Sequence, residues 1–130
     1  TLRFAPDGSL RALVRREAGD RGAVWGSAPP PFTAWSWQPL GARVGGPNAI
    51  LLPDGRWLVG GRRYGEAGAR TALGLLDHAG ALAWRLDLPS GGDTSYPGLV
   101  LRGEHLLVSY YASHEGRTAV YLATVRWRRL

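Results

Sequence analysis

The chain has 130 residues, a net charge of +6, and neither Cys nor Met. That length allows one domain at most, with enough residues to bury a core without disulfides or metal. The missing Cys excludes a disulfide framework, a thiolate zinc site and a thiol nucleophile, and no run approaches the ~18 consecutive apolar residues of a membrane helix.

All sixteen basic residues are Arg, spread along the chain and densest at Arg126, Arg128 and Arg129. Such a distribution reads as a solvated surface, not as the basic stripe with aromatic platforms that nucleic acid requires. Neither nucleic acid nor membrane is therefore expected as a partner. Three histidines, at 78, 105 and 114, have no metal-ligand spacing, and no metal or cofactor is expected. The Gly-Gly pairs are not phosphate loops, since no Lys follows them. Thr1 in place of an initiator Met reads as the start of a processed or excised piece. Six Trp, five Tyr and nineteen Gly favour strands and turns.

In chain order, Leu2 to Gly8 reads as a hairpin with a Pro-Asp-Gly turn, followed by an apolar run through Leu13-Val14. Strands are expected near Ala23 to Ser27 and Trp35 to Leu40, joined across three prolines. A second unit starts with Ile50 to Leu52, turns at Pro53-Asp54-Gly55 and continues through Leu58-Val59. Its third and fourth strands are Thr71 to Leu76 and Leu82 to Leu88, joined by His78-Ala79-Gly80. A third unit has Leu99 to Leu101, a turn at Gly103, Leu107-Val108, and one long strand from Thr118 to Trp127. From Leu13 to Leu58 is 45 residues and from Leu58 to Leu107 is 49. A period of about 40–50 with several strands per unit is a propeller signal. No window has helical periodicity with caps, and a β-sandwich is the alternative with similar short strands.

The fold class that follows is all-β: antiparallel four-stranded blades of a six-bladed propeller, about three of them present, at residues 1–41, 42–90 and 91–130. Three blades do not close a ring, so the expected partner is a missing N-terminal half or a second copy. In such blades the turns from first to second and from third to fourth strand lie at one end. The other loops converge at the axis. That end would carry Glu17, Asp20 and Arg21; Arg43 to Asn48; Arg62 to Arg70; Asp93 to Tyr96; and His114 to Arg117.

The stretch Gly46 to Arg62 resembles a sialidase segment with an apolar strand, a Pro-Asp-Gly turn and a strand ending in Arg. Arg70 to Asp77 looks like the family's next segment, in which an Arg opens a strand, and Thr94 to Val100 resembles the segment carrying the tyrosine nucleophile. Tyr110 to Thr118 is similar to a stretch of bacterial sialidase-like proteins of unassigned specificity. The family's Asp-box survives only in part, at Asp77 to Trp84 and Thr33 to Trp37. The resemblance covers nearly the whole chain and the C-terminal half of a sialidase.

It implies a glycoside hydrolase acting on an acidic sugar glycoside in the full-length parent, with this part alone inactive, and a secreted or periplasmic location. Arg62 and Arg70 would grip a carboxylate, which guanidinium forks bind bidentately, with Arg43 and Asn48 beside them. Tyr96 would be the nucleophile, assisted by His114 or Glu115. Where the sialidase pattern has a Glu, sixteen residues before Arg62, this chain has Gly46. That leaves Glu66, Asp93 or Glu115 to deprotonate a phenol whose ordinary pKa is about 10. A propeller that binds glycan or protein without turnover is the alternative.

Overall fold

The computed structural model describes every residue except His78, so that histidine and its share of the turn before the fourth strand of the second unit lie outside the described residues. Eleven strands form three antiparallel sheets among the described residues. The first sheet holds β1 (Leu2–Phe4), β2 (Leu10–Val14), β3 (Val24–Ala28) and β4 (Ser36–Pro39). The second holds β5 (Val44–Leu51), β6 (Trp57–Gly65), β7 (Gly68–Leu76) and β8 (Leu82–Asp87). The third holds β9 (Thr94–Arg102), β10 (His105–Ala112) and β11 (Ala119–Arg126), the last matching the long third strand expected there, and ends in a short 3-10 turn at Trp127–Arg129.

Each sheet is a meander, strand beside next strand, and consecutive sheets pack face to face. That row of separate sheets fits a propeller-like fold and not a two-sheet sandwich. Leu13 of the first sheet, with Ala23 and Leu40 flanking its strands, meets Val44, Ala49 and Val59 of the second, with Trp25 and Trp57 edge to face at 5.0 Å. Leu58, Leu73 and Leu75 meet Leu106, Val108 and Tyr110 across the second junction. Period-2 alternation accounts for this directly: Leu106, Val108 and Tyr110 point one way, and Leu107, Ser109 and Tyr111 the other. Trp127 closes the second junction from below, buried, its indole donating to the Gly103 carbonyl at 3.1 Å.

The three first strands lie side by side. Asn48 on β5 joins them: its amide oxygen accepts from Arg3 on β1 at 2.7 Å, and its amide nitrogen donates to the Pro97 carbonyl on β9 at 2.8 Å. Thr1 adds a hydrogen bond to the Pro47 carbonyl at 3.0 Å. Close approach here needs small residues. A Cβ on Gly60 would stand 2.9 Å from Pro97 Cγ, and one on Gly61 2.5 Å from Val44 Cγ1.

Candidate functional site

Two of those inner strands carry the same irregularity. In β5, Gly45 pairs with Arg62 and Asn48 with Gly60, so Gly46 and Pro47 together oppose Gly61. In β9, Ser95 pairs with Tyr111 and Gly98 with Ser109, so Tyr96 and Pro97 oppose Tyr110. Both are bulges of one extra residue, the kind that re-aims a side chain. In each, the residue before the proline is left-handed, Gly46 at φ 49° and Tyr96 at φ 52°. Glycine adopts that conformation freely; a tyrosine does so only when its surroundings hold it there.

The bulge turns Tyr96 outward, 66% exposed, with its ring stacked on Tyr111 at 6.2 Å between centroids. Asp93, just before β9, accepts from the Tyr111 hydroxyl at 2.9 Å and from the Arg62 guanidinium at 2.7 Å. Arg62 also donates to the Thr94 carbonyl at 2.6 Å and to the Tyr111 oxygen at 3.1 Å. Tyr64, two residues on in β6, lies 4.0 Å beneath the guanidinium carbon of Arg43 and 6.0 Å from that of Arg62. Glu17, in the loop after β2, pairs with Arg15 and stands 3.6 Å from Arg43. The hydrogen bond from Arg15 holds the Glu17 carboxyl below its ordinary range against the desolvation that opposes it, and the charges of Arg15 and Arg43 add to the lowering. Burial pushes the Tyr111 phenol up, and donation to Asp93 pushes it further, against the pull of Arg62.

The structure thus brings Arg43, Arg62 and Tyr96 into one neighbourhood, with Asn48 beneath it. Arg70, Glu115 and His114 make other contacts. Arg70 pairs in register with Arg63, and Arg62 with Thr71, so the two arginines leave opposite faces of the second sheet. The Arg70 guanidinium donates to the Ala69 carbonyl at 3.0 Å and flanks Gly91, as does His114. Glu115 accepts from Tyr121 at 2.9 Å, and the His114 ring lies 4.9 Å from that of Tyr121. Glu66 is at the exposed tip of the β6–β7 hairpin.

Gly46, where the sialidase pattern has a Glu, has no room for one. A Cβ there would overlap Ser95 Oγ and stand 3.0 Å from Tyr96 N and 3.1 Å from Tyr96 Cδ1. The Ser95 hydroxyl is tied to the Gly45 carbonyl at 2.9 Å, so the obstruction is fixed. Asn48, read as a ligand contact, has both amide ends engaged in joining the strands. Tyr111 and Tyr64 carry the aromatic surface without having been singled out from the sequence. The signal for Tyr111 was available: two consecutive tyrosines in one strand put a ring on each face.

No protein-family model matches the chain, and no curated protein does. Among solved structures, it is similar to a protein of unknown function from Dyadobacter fermentans, with TM-score 0.76 and 22% identity over 95% of this chain and 36% of that one. It is also similar to the Bacteroides ovatus xyloglucan PUL GH43B protein, with TM-score 0.68 and 18% identity over 96% of this chain and 26% of that one. At these identities the likeness is one of fold, and the chain spans about a third or less of either protein's length.

Proposed function

We propose that this chain is the ligand-binding part of a carbohydrate-active propeller, in which the inner ends of the second and third sheets hold a sugar ring against Tyr96. The exposed Tyr96–Tyr111 stack, fixed by a bulge and bordered by Arg62 and Asp93, carries this reading. Aromatic faces with one polar rim suit pyranose recognition, because the ring's C–H faces pack on the aromatic while its hydroxyls reach the rim. The fold-level likeness to a GH43, glycoside-hydrolase, protein adds support by analogy.

The handle is a sugar hydroxyl and not a carboxylate. Arg62 already pairs with Asp93, and Arg43 with Glu17, so an acidic sugar would have to displace a carboxylate at either guanidinium. Sialidase-type turnover also lacks support, because Gly46 leaves no space for the base.

Titration calorimetry with a xyloglucan oligosaccharide and with sialyllactose tests this. The expectation is binding of the neutral sugar, lost in Tyr96→Ala. Tighter binding of sialyllactose overturns the hydroxyl assignment. Hydrolysis of a fluorogenic sialoside that is lost in Tyr96→Phe would restore the catalytic reading.

A further inference from the structure

Seven of the eight large apolar side chains exposed among the described residues lie on two sheet faces, and the eighth is Tyr96. On the first sheet, register aligns Leu2, Ala12, Gly26 and Trp37 in one row, Phe4, Leu10 and Ala28 in a second, and Val14, Val24 and Pro39 in a third. All point away from the second sheet, with Phe4 68% and Trp37 51% exposed. On the third sheet, Val100 aligns with Leu107 and Thr124, Gly98 with Ser109 and Leu122, and Tyr111 with Val120. These also point away from the second sheet, with Val120 81% and Leu122 71% exposed. Exposed apolar side chains gathered on one face in this way mark an interaction surface, which on the third sheet is bordered by the row Arg102, His105 and Arg126.

The two faces are the ends of one row. Each junction within the chain joins the forward face of one sheet to the rear face of the next. The third sheet is left with a forward face and the first with a rear face, so they are complementary to each other.

We propose that a second copy of this chain covers both, with the third sheet of each copy packing on the first sheet of the other. The interface continues the junctions already present and repeats their geometry twice. A two-fold operator satisfies both open faces with one kind of contact and leaves none over. The product is a closed ring of six sheets, within the roughly four to eight blades that propellers use. The ring also completes the sugar site: Val120 stands opposite Tyr111 in register, so the partner's first sheet walls the open side of the Tyr96–Tyr111 stack. This association does not depend on what the site binds.

Light scattering on the 130-residue chain is the test. The expected mass is twice the 14.0 kDa of one chain at micromolar concentrations and above. Phe4→Asp and Leu122→Arg are each expected to give single chains that keep a β-sheet circular dichroism spectrum, because both side chains are exposed within one chain. Mixing the two variants restores a pair, since one of its two junctions then carries no substitution. A single-chain mass for the unaltered protein at every concentration overturns the proposal and leaves further sheets, of the same parent chain or of another polypeptide, as the occupant. Growth into larger assemblies overturns two-fold closure. A pair that survives either substitution overturns the assignment of faces.

Discussion

Tyr96 and Gly46 share a backbone conformation and should answer substitution in opposite ways. A left-handed residue with a Cβ carries roughly 1–2 kcal/mol of strain. Tyr96→Gly relieves it while giving up one exposed ring stack, itself about 0.5–1.5 kcal/mol. Its unfolding free energy in urea should therefore stay within about 1 kcal/mol of the parent, far from the ~3–5 kcal/mol of deleting a buried aromatic, while sugar binding disappears. Gly46→Ala adds strain and a clash with Ser95 at once, and should cost about 1–3 kcal/mol. The phenols give a second expectation at this scale. Burial raises the pKa of Tyr110, Tyr111 and Tyr121, with hydrogen bonds to Asp93 and Glu115 adding to it in the last two. A raised folded-state pKa means that their stabilisation is complete below the unfolded value of about 10 and is lost as pH climbs through the folded values. The melting temperature should fall on the alkaline side, in step with the tyrosinate absorbance.

Between elements, one amide links all three inner strands. Asn48 takes hydrogen bonds from β1 and gives one to β9, and it lies just past the β5 bulge. Asn48→Ala leaves the Arg3 guanidinium and the Pro97 carbonyl without that partner, and about 1–3 kcal/mol of destabilisation is expected. Hydrogen exchange should report the loosening at β1 and β9 before β7, whose neighbours are untouched. Uniform exchange across the three sheets would mean that the amide does not join them. The outer parts of the second junction rest on Leu58, Leu73 and Leu106, all fully buried; truncating Leu106 to Ala should cost about 2–5 kcal/mol, since β-sheet neighbours on both sides limit collapse of the gap.

The whole chain is defined by what it leaves uncovered. Three sheets in a row bury two junctions and expose two faces, and the net charge of +6 on each chain opposes bringing copies together. Salt screens that repulsion over a Debye length of about 8 Å at physiological strength and leaves apolar burial intact. Pairing of chains should therefore tighten as sodium chloride is raised, read as a shift of the mass transition to lower protein concentration. Weakening with salt would assign the contact to ion pairs and not to Phe4, Trp37, Val120 and Leu122.

Strand order, turn positions and the recurring apolar runs were legible in the sequence because each follows from local chemistry. Pro-Asp-Gly at 53–55 makes a hairpin wherever it sits, and Leu-Val pairs recurring at a period near 45–49 residues mark equivalent strands. The grouping of Arg62 with Arg70 was not decided at that level. It turned on the register of the β6–β7 hairpin, which pairs Arg62 with Thr71 and starts the two side chains on opposite faces of the sheet, Arg62 then reaching Asp93 and Arg70 lying against Gly91. Nor did local chemistry disclose that Gly46 is filled by Ser95, some fifty residues away, or that Tyr96 stands in a left-handed bulge facing Tyr111. Periodicity and turn preference act over a few residues and are written in the chain; which side chains meet across sheets depends on packing between strands far apart in it, and only the tertiary structure decides that.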